Sequence, residues 1–502
     1  MPTPLQDYIT RLAKEYKTGV TTEHSLRPAL VELLSSLPEL RRFRVINEPK
    51  RIACGAPDIV LLGKENTPVA YLETKDIGDT DLCGVKQNKE QFDRYKQALD
   101  LIVFTDFLRF LLYQGGECLV ELRLAEQEGT RLVPLPDAEV RFAELVALLR
   151  DAQPAPVTSP KRLALVMAGK AQLLARAIRV VLEDPNSDAE NERLLLEWMN
   201  TVLKSSVSSH EFADLYAQTL VYGLLAARYH DERGETFSRQ KAATLIPKSN
   251  PFLRKLFQHI GVFDLDERIA WIVDDLVGIF GVTNVRSLLE TSKAERDPIM
   301  LFYEDFLATY DPAGRKARGV YYTPPHVVTF IVRAVDDLLQ KEFGLKEGLA
   351  DQSLTEDGKH RLQILDPSTG TGTFLVEVVR KIYSKFAGQT GVWNDYVKDH
   401  LLPRLHGYEI LMAPYAMAHL NLEYIFGETG ATHLGDARYG IYLTNTLEDA
   451  LLDGNLFAPA DQEAREVSLL KHTMQVMVML GNPPYRRDSS NKGETIERLM
   501  KS

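Results

Sequence analysis

Leu362-Gln-Ile-Leu-Asp366-Pro-Ser-Thr-Gly370-Thr-Gly372-Thr-Phe374 is the stretch of sequence that decides the fold of the C-terminal region. A short apolar run leads into a turn with two glycines, and a helical pattern follows. In open α/β sheets this connection lies at the carboxyl end of a strand, where nucleotide-like ligands bind. Glycine lets the backbone approach such a ligand closely. The third glycine of the dinucleotide-binding pattern is missing, because Leu375 stands in its place.

Strands and helices alternate on both sides of this stretch. The predicted helices are 325–340, 373–386 and 412–426, and the predicted strands are 362–366, 404–409, 441–445 and 475–480. Such alternation is typical of a parallel, doubly wound sheet. The sequence therefore predicts a Rossmann-like α/β domain over residues 311–502.

Two further polar groups follow predicted strands. Glu409 ends one of them, and a carboxylate there suits the vicinal hydroxyls of a ribose. Gly481-Asn482-Pro483-Pro484-Tyr485 follows another, and its prolines force the backbone out of helix and sheet. The Asn482 amide and the Pro483 carbonyl can then face one amino group as acceptors. Tyr485 offers a ring against which an extruded base can stack.

The order of these features resembles the amino-methyltransferases that make N6-methyladenine in DNA. Gly319-Val-Tyr-Tyr322-Thr323-Pro324 looks like the first motif of that family, which helps hold the methionine end of S-adenosylmethionine. Thr444-Asn445-Thr446-Leu447 stands where the family contacts the adenine of the cofactor. We expect Thr323 to cap the N-terminus of a helix whose first residue is Pro324.

The resemblance, which covers residues 319–485, implies two groups of functional residues. The catalytic residues are expected to be Asn482, Pro483, Pro484 and Tyr485. The expected S-adenosylmethionine-binding residues are Tyr322, Thr323, Pro324, Asp366, Pro367, Gly370, Gly372, Phe374, Glu409, Asn445 and Thr446. The implied mechanism is in-line methyl transfer to a flipped-out adenine whose N6 donates hydrogen bonds to Asn482 and Pro483.

The N-terminal region carries two carboxylates and a lysine on a predicted hairpin. Asp58 precedes one apolar strand, and the returning strand contains Glu73 and Lys75, which share a face because they are two residues apart. Two carboxylates can bind Mg²⁺ through oxygen ligands. The lysine can orient or activate water for attack on a phosphodiester.

This pattern resembles the PD-(D/E)xK nuclease superfamily over about residues 20–115. Gln91 and Tyr95 are similar to the Gln-x3-Tyr feature of several of its branches. Glu23, at the start of an upstream predicted helix, is expected to supply a third acid. The resemblance implies the catalytic residues Asp58, Glu73, Lys75 and Gln91 and the metal ligands Asp58, Glu73 and Glu23.

Composition divides the chain into four parts. A nuclease domain is expected at 1–150, a proline-rich linker at 151–160, a helical connector at 161–310 and the methyltransferase domain at 311–502. A nuclease, a connector and an adenine methyltransferase in one chain resemble the fused restriction-modification enzymes called type IIG. Related single-polypeptide type I enzymes insert a helicase, but no Gly-x4-Gly-Lys-Ser/Thr loop occurs here.

Charge and cysteine content limit the class of protein. The formal net charge of −11 argues against nonspecific coating of DNA, although a local basic groove for double-stranded DNA is compatible with it. Three cysteines without a CxxC pair, no signal peptide and no membrane-spanning apolar stretch indicate a cytoplasmic protein.

The position of Asn482 predicts an incomplete methyltransferase. Only the polar segment 486–502 follows Tyr485, so we expect a sheet that lacks its last strands and no target-recognition domain. The chain would then be a fragment or a split gene product, or a second chain would complete it.

Three other functions stay open on the sequence alone. One is an antiphage nuclease whose C-terminal domain only senses S-adenosylmethionine, and another is a non-catalytic assembly subunit of an antiphage system. The third is a nicotinamide-dependent dehydrogenase, in which Asn-Pro-Pro-Tyr has no role.

Overall fold

The computed structural model describes most of the chain. The described residues are 3–47, 57–63, 68–129, 131–152, 156–184, 208–231, 236–246, 250, 254, 257, 265–290, 298–311, 323–386, 388–431, 434, 437–447 and 458–483. They form two compact units. The first holds the described residues of 1–193, 209–242 and 260–288, and the second holds those of 194–208, 243–259 and 289–502. No helix of the described residues is long and apolar enough to span a membrane.

The first unit is built on a six-stranded mixed sheet. Its strands, in spatial order, are β1 (Arg44–Asn47), β2 (Ile59–Leu62), β3 (Pro68–Thr74), β4 (Leu101–Thr105), β5 (Arg109–Gln114) and β6 (Glu117–Arg123). Only the β3–β4 pair is parallel. A separate hairpin joins β7 (Ala125–Glu128) to β8 (Arg131–Pro134). The helices here are α1 (Pro4–Tyr16), α2 (Glu23–Ser36), α3 (Lys89–Ala98) and α4 (Ala138–Arg150).

The apolar strands predicted from sequence form the centre of this sheet. Every residue of β4 is buried, as expected for a central strand that reads as a continuous apolar run. One face of the sheet packs against α1, α2 and α4, and this core includes Leu12, Leu30, Leu61, Leu72 and Val103. The strand ends that carry the predicted nuclease residues are therefore held by a packed core.

The helices predicted as a connector are divided between the two units. They are α5 (Pro160–Glu183), α6 (Ser209–Tyr229), α7 (Arg239–Leu245), α8 (Glu267–Val282), α9 (Val285–Glu290) and α10 (Pro298–Tyr310). The first unit contains α5, α6 and α8, the second contains α10, and the division falls within α7 and α9. Lys170 of α5 is fully buried in an ion pair with Asp275 of α8, and Trp271 lies 5.8 Å from the ring of Tyr71 on β3. Pro160, placed in the predicted linker, is the first residue of α5.

The second unit contains a four-stranded, fully parallel sheet. Its strands are β9 (Ile364–Asp366), β10 (Leu405–Glu409), β11 (Gly440–Leu443) and β12 (Val478–Met479), in the order β11-β10-β9-β12. Its helices are α11 (Pro325–Lys341), α12 (Thr373–Tyr383), α13 (Thr390–Tyr396), α14 (Met412–Glu428) and α15 (Ala458–Thr473). Short 3-10 turns at Pro38–Leu40, Gly348–Ala350 and Leu402–Arg404 and a π-helical turn at Val397–Leu401 complete the described elements.

Helices cover both faces of this sheet. On one face, Val467 of α15 packs on Leu365, Tyr408 and Tyr442 of three adjacent strands. On the other face, Gly407 lies so close to α12 and the preceding turn that a Cβ there would come within 2.4 Å of Thr369 Oγ1. A glycine in β10 is therefore required for the helix and its turn to approach the strand.

The strand order creates a topological switch point. From β9 the chain adds β10 and then β11 on one side, and it later places β12 on the other side of β9. Connections diverge from the two carboxyl ends at such a point and leave a crevice, which is where open α/β sheets bind ligands. The residues that follow β9 and β12 therefore face one site.

The predicted capping of α11 by Thr323 is wrong. The helix begins at Pro325, its N-cap residue is Pro324, and Thr323 lies one residue earlier. The Pro325 ring disfavours helical backbone in the residue before it, and Pro324 accordingly has an extended ψ of 136°. The second proline thus moves the helix start by one residue and leaves the Thr323 hydroxyl available for another partner.

Packing of α5 on α3 gives a test of the first unit. A Cβ added at Gly169 would lie 2.8 Å from Ala98 Cα, so Gly169→Ala is expected to destabilise the chain by about 1–3 kcal/mol. In the control Gly281→Ala, the nearest atom is Phe237 Cβ at 3.9 Å, and a gain of about 0.5 kcal/mol is expected. Urea unfolding measures both; equal effects would contradict the close helix contact.

Candidate active site

The carboxyl edge of the parallel sheet gathers the predicted cofactor and catalytic residues. Asp366 ends β9 and Glu409 ends β10. Asn445 follows β11, and Asn482 follows β12. Because parallel strands end at the same edge, four positions that are dispersed over more than a hundred residues of sequence become neighbours.

Glu409 links the end of β10 to the glycine turn. Its carboxylate accepts hydrogen bonds of 2.8 Å from the backbone N–H groups of Gly370, Ile410 and Leu411. Burial raises the pKa of Glu409 to about 7, although these three donors act in the opposite direction. Glu409 therefore fixes the position of the turn at Gly370 relative to the sheet.

Asp366 is a buried carboxyl group with one oxygen that makes no hydrogen bond among the described residues. Its Oδ1 accepts a 3.1 Å hydrogen bond from the Ser368 backbone N–H, whereas Oδ2 is buried without a hydrogen-bond partner among the described residues. Burial, reinforced by the charge of Glu409, raises the pKa of Asp366 to about 8. A buried polar atom without a partner is costly unless a ligand satisfies it, so Asp366 Oδ2 is available to a polar group of a ligand.

Two glycines permit the close approaches that shape this site. A Cβ at Gly481 would lie 2.4 Å from Asp366 Oδ1, so only glycine allows the segment after β12 to pass this close to β9. Gly370 has a φ of +56° and nothing within 4 Å of a hypothetical Cβ, so the turn there borders open space. The crevice is thus narrow at Gly481 and open at Gly370.

A lysine that the sequence analysis missed holds the loop after β11. Lys471 Nζ, on α15, donates hydrogen bonds to Thr444 Oγ1 at 3.1 Å and to the Asn445 carbonyl at 2.6 Å. In the same loop, Thr446 Oγ1 donates to the Pro367 carbonyl at 2.5 Å. No local pattern identifies Lys471, because only the packing of α15 brings it to this loop.

Asn482 is bonded to a residue of the first predicted motif. Its carboxamide Nδ2 donates a 2.9 Å hydrogen bond to Thr323 Oγ1, across 159 positions of sequence. Both side chains are half-buried. The predicted base-accepting residue and a predicted cofactor residue are therefore in direct contact.

The remaining predicted residues of this site differ in their placement. Pro483 is exposed and follows Asn482, and the side chain of Phe374 is buried in the first turn of α12. Gly372 is the N-cap of that helix, with a φ of 84°. Tyr322, Pro484 and Tyr485 lie outside the described residues.

The predicted nuclease residues gather at the ends of β2 and β3 in the first unit. Asp58 immediately precedes β2, whose first residue Ile59 pairs with Leu72 of β3, so Asp58 lies beside Glu73. Asp58 Oδ2 accepts hydrogen bonds from the Thr74 N–H at 2.7 Å and from the Thr74 hydroxyl at 2.6 Å. The hairpin thus holds this carboxylate in one orientation.

Arg27 is a second functional candidate that the sequence analysis did not assign. One of its terminal nitrogens lies 2.8 Å from Asp58 Oδ1 and 2.9 Å from Glu23 Oε1, and its Nε donates to Thr74 Oγ1 at 2.9 Å. The Arg27 side chain is only 2% exposed. The guanidinium therefore separates the two carboxylates and neutralises part of their charge. Arg27 follows Glu23 by four residues on α2, and residues with this spacing are neighbours on a helix face, so the spacing could have indicated the ion pair from the sequence.

Glu73, Lys75 and Gln91 form one polar cluster. Glu73 Oε1 accepts hydrogen bonds from Lys75 Nζ at 2.9 Å and Gln91 Nε2 at 2.7 Å, and Lys75 also donates to Gln91 Oε1 at 3.2 Å. Gln91 Nε2 lies 3.4 Å from the Tyr95 hydroxyl, so the two residues of the Gln-x3-Tyr feature meet on α3.

Burial and neighbouring charges set the protonation of this cluster. Burial raises the pKa of Glu73 to about 7, and the charge of Asp58 adds to the effect. Burial lowers the pKa of Lys75, but the Glu73 carboxylate and the charges of Glu23 and Asp58 together outweigh it, so the net pKa is raised. Lys75 is therefore a charged hydrogen-bond donor at neutral pH. Among the described residues, no group of three or more His, Cys, Asp or Glu is placed to hold a metal ion.

Comparison with known families identifies the second unit. Residues 294–501 match the family described as N-6 DNA Methylase, a range that covers less than half of the chain. The chain therefore carries an N6 DNA methylase domain, as the sequence predicts. The roles of Asp366 and Asn482 stay predictions. A search of curated proteins found no match.

Similar solved structures include a restriction-modification enzyme and a restriction endonuclease. The DrdV–DNA complex is 23% identical with a TM-score of 0.46, over 99% of this chain and 46% of that one. A nuclease-deletion mutant of the type ISP restriction-modification enzyme LlaGI, in complex with a DNA substrate mimic, is 21% identical with a TM-score of 0.49, over 72% of this chain and 27% of that one. The type IIG restriction endonuclease BpuSI is 13% identical with a TM-score of 0.26, over 100% of this chain and 48% of that one. This chain thus spans less than half the length of each.

The contact of Gly481 with Asp366 predicts the effect of a single methyl group. Gly481→Ala would place a Cβ 2.4 Å from Asp366 Oδ1 and displace the carboxyl group, so binding of S-adenosylmethionine is expected to weaken by about tenfold or more. Isothermal calorimetry measures the affinity. Gly391→Ala, with nothing within 4 Å of its Cβ, is the matched control and should bind as the wild type does. Equal affinities of the wild type and both variants would contradict the predicted role of Asp366 in binding S-adenosylmethionine.

The pKa of Asp366 predicts a pH-dependent stability. Between its ordinary value of 3.8 and about 8, the folded chain holds a proton that the unfolded chain releases, so the free energy of unfolding falls as the pH rises through this window. Asp366→Asn removes the titrating group and is expected to gain stability over the wild type as the pH rises.

Urea unfolding at the two ends of that window measures this trend. Asp357→Asn changes an exposed carboxyl whose pKa is lowered, so it should show no trend within the window. A stability difference between Asp366→Asn and the wild type that does not change with pH would contradict the raised pKa.

Proposed function

We propose that this chain is a restriction-modification protein that methylates N6 of adenine in DNA with S-adenosylmethionine and cleaves DNA with a magnesium-dependent PD-(D/E)xK-type nuclease. The observation that carries the methyltransferase half is the contact of Asn482 with Thr323 beside Asp366, at the switch point of a parallel sheet. The match of residues 294–501 to the N6 DNA methylases supports the same chemistry.

The carboxyl edge of the sheet fits S-adenosylmethionine. Asp366 offers a buried acceptor oxygen without a partner among the described residues, and Gly370 borders open space. Glu409 would accept from ribose hydroxyls, and the loop held by Lys471 at Asn445 would line the adenine. When bound, the cofactor supplies an electrophilic methyl group. Thr323 and Pro324 lie on the Asn482 side of the same crevice.

Asn482 and Pro483 act on the target base. With its nitrogen donating to Thr323, the Asn482 carboxamide keeps Oδ1 as an acceptor. The Pro483 carbonyl provides a second acceptor. Two acceptors match the two N–H groups of the adenine N6 amine, so they orient its nitrogen and stabilise positive charge that develops on it. The target adenine must leave the helix stack to reach them. The role of Tyr485 as a stacking partner stays a prediction.

The hairpin of the first unit fits one divalent cation with two carboxylates. Glu73 Oε2 is buried and has no hydrogen-bond partner among the described residues, and Asp58 lies beside it. These two residues would hold Mg²⁺, which supplies Lewis-acid stabilisation of a phosphodiester under attack. Glu23 is already paired with Arg27. Its negative charge would therefore affect the net charge around the metal ion. Lys75, held by Glu73 and Gln91, would donate a hydrogen bond to the phosphate or to the attacking water.

Double-stranded DNA is the proposed substrate of both units. Two solved proteins to which the chain is similar, DrdV and LlaGI, are complexes with DNA and with a DNA substrate mimic, respectively. A second chain that supplies target recognition also stays a prediction.

Separate substitutions test the two activities. Asn482→Ala is expected to lower transfer of tritiated methyl groups to adenine-containing DNA by about 100-fold or more, because it removes an acceptor at the reacting amine. Asp58→Asn is expected to abolish magnesium-dependent cleavage of plasmid DNA, because it removes a charged metal ligand. Each variant is the control for the other, since the two sites lie in different units. Wild-type methyl transfer by Asn482→Ala would refute the methyltransferase assignment, and wild-type cleavage by Asp58→Asn would refute the nuclease assignment.

A further inference from the structure

We propose that Thr323 is a positioning residue for the base-accepting carboxamide: its hydroxyl holds Asn482 so that Oδ1, and not the NH₂ group, faces the amine of the target base. The inference rests on the proposed function of Asn482 and goes beyond the cofactor-side role that the sequence suggested for Thr323. The single contact that carries it is the 2.9 Å hydrogen bond from Asn482 Nδ2 to Thr323 Oγ1.

The orientation of the amide group decides whether it presents an acceptor or donors to the base. A carboxamide has nearly the same shape in its two orientations, but one end presents two donors and the other end an acceptor. An exocyclic amine also presents donors, so the wrong orientation would set N–H groups against N–H groups. A hydrogen bond that engages the nitrogen of Asn482 leaves its oxygen for the base.

The backbone of Asn482 is fixed by a different contact. Gly481 brings the main chain against Asp366, with no room for a Cβ between them. That contact sets where the Asn482 Cα lies, but the side-chain torsions remain to be fixed. The bond to Thr323 supplies this second constraint.

Thr323 is itself held by the structure around it. It is followed by Pro324, which has a restricted φ of −53°, and then by α11, a helix of 17 residues. Because Pro324 and not Thr323 is the N-cap, the hydroxyl is not used to cap this helix. Thr323 thus carries its hydroxyl to Asn482 from a fixed backbone.

The position of Thr323 also connects the two ligands of the site. The resemblance implies that Thr323 belongs to the motif that helps hold the methionine end of the cofactor, and in the structure its hydroxyl accepts a hydrogen bond from Asn482, the proposed base-accepting residue. If Thr323 acted only on the cofactor, its removal would weaken S-adenosylmethionine binding. If it positions Asn482, its removal slows methyl transfer at saturating cofactor, and this effect requires that Asn482 is present.

A double-mutant cycle in the full chain separates these roles. The variants are Thr323→Val, Thr323→Ser, Asn482→Ala and the double variant Thr323→Val/Asn482→Ala. Calorimetry gives the affinity for S-adenosylmethionine, and single-turnover transfer of tritiated methyl groups to adenine-containing duplex DNA gives the rate at saturating cofactor.

The expected results are specific. Thr323→Val lowers the single-turnover rate by about tenfold, the value of one well-formed hydrogen bond, and changes the cofactor affinity by less than about threefold. Thr323→Ser, which keeps the hydroxyl, restores the rate. In the Asn482→Ala background, Thr323→Val has no further effect, because the group it positions is gone. An equal loss in both backgrounds, or a loss confined to cofactor affinity, would overturn the inference.

A spectroscopic readout keeps the inference separate from the proposed function. In protein labelled with ¹⁵N-asparagine, the side-chain signals that disappear in Asn482→Ala identify the Asn482 carboxamide. These signals are expected to shift in Thr323→Val and to return in Thr323→Ser; signals that do not move in Thr323→Val overturn the inference. If the wild-type chain transfers no methyl group, the proposed function fails, and the carboxamide signals alone decide whether Thr323 holds Asn482.

Discussion

The close approach of the segment after β12 to the end of β9 is the constraint on which the rest of the second unit depends. Because β12 pairs with β9 on the side opposite β10, the backbone at Gly481 runs directly against the buried carboxyl group of Asp366. A side chain at Gly481 would force these strands apart or displace the carboxyl. The crevice and the backbone position of Asn482 follow from this contact. Burial of the Asp366 carboxyl group raises its pKa.

The two units use buried charge in different ways. In the second, Asp366 and Glu409 are buried with backbone donors, and burial raises the pKa of each. In the first, Asp58 is compensated by the guanidinium of Arg27 and by Thr74, and Glu73 is paired with Lys75. An ion pair in low dielectric is costly to break but orients its members strictly. Both units thus keep carboxyl groups in fixed positions. Glu73 Oε2 in the first and Asp366 Oδ2 in the second are buried without a hydrogen-bond partner among the described residues.

Much of the second site was predictable because its residues sit at strand ends. Apolar runs mark β9, β10 and β12, and the polar residue that follows each run must lie at one edge if the sheet is parallel. The first site was predictable for a related reason, since alternation along β3 places Glu73 and Lys75 on one face. The N-terminus of α11 was misplaced by one residue, because the effect of Pro325 on its predecessor outweighs the capping preference of Thr323. Lys471 and the Thr323–Asn482 bond had no local signal, since each joins segments that only the folded chain brings together.

The sequence by itself determined which polar groups stand at the strand ends. The residue types, their order along the chain and their positions after apolar runs are local properties, and these are sufficient to place an amide, two carboxyl groups and a glycine turn there. The tertiary structure alone decided how those groups are held. Arg27 lies between Glu23 and Asp58, and Thr323 bonds Asn482, because helices distant in sequence pack against the strand ends. Such contacts depend on strand order and helix packing, which are set by burial over the whole unit and cannot be assigned from any single segment.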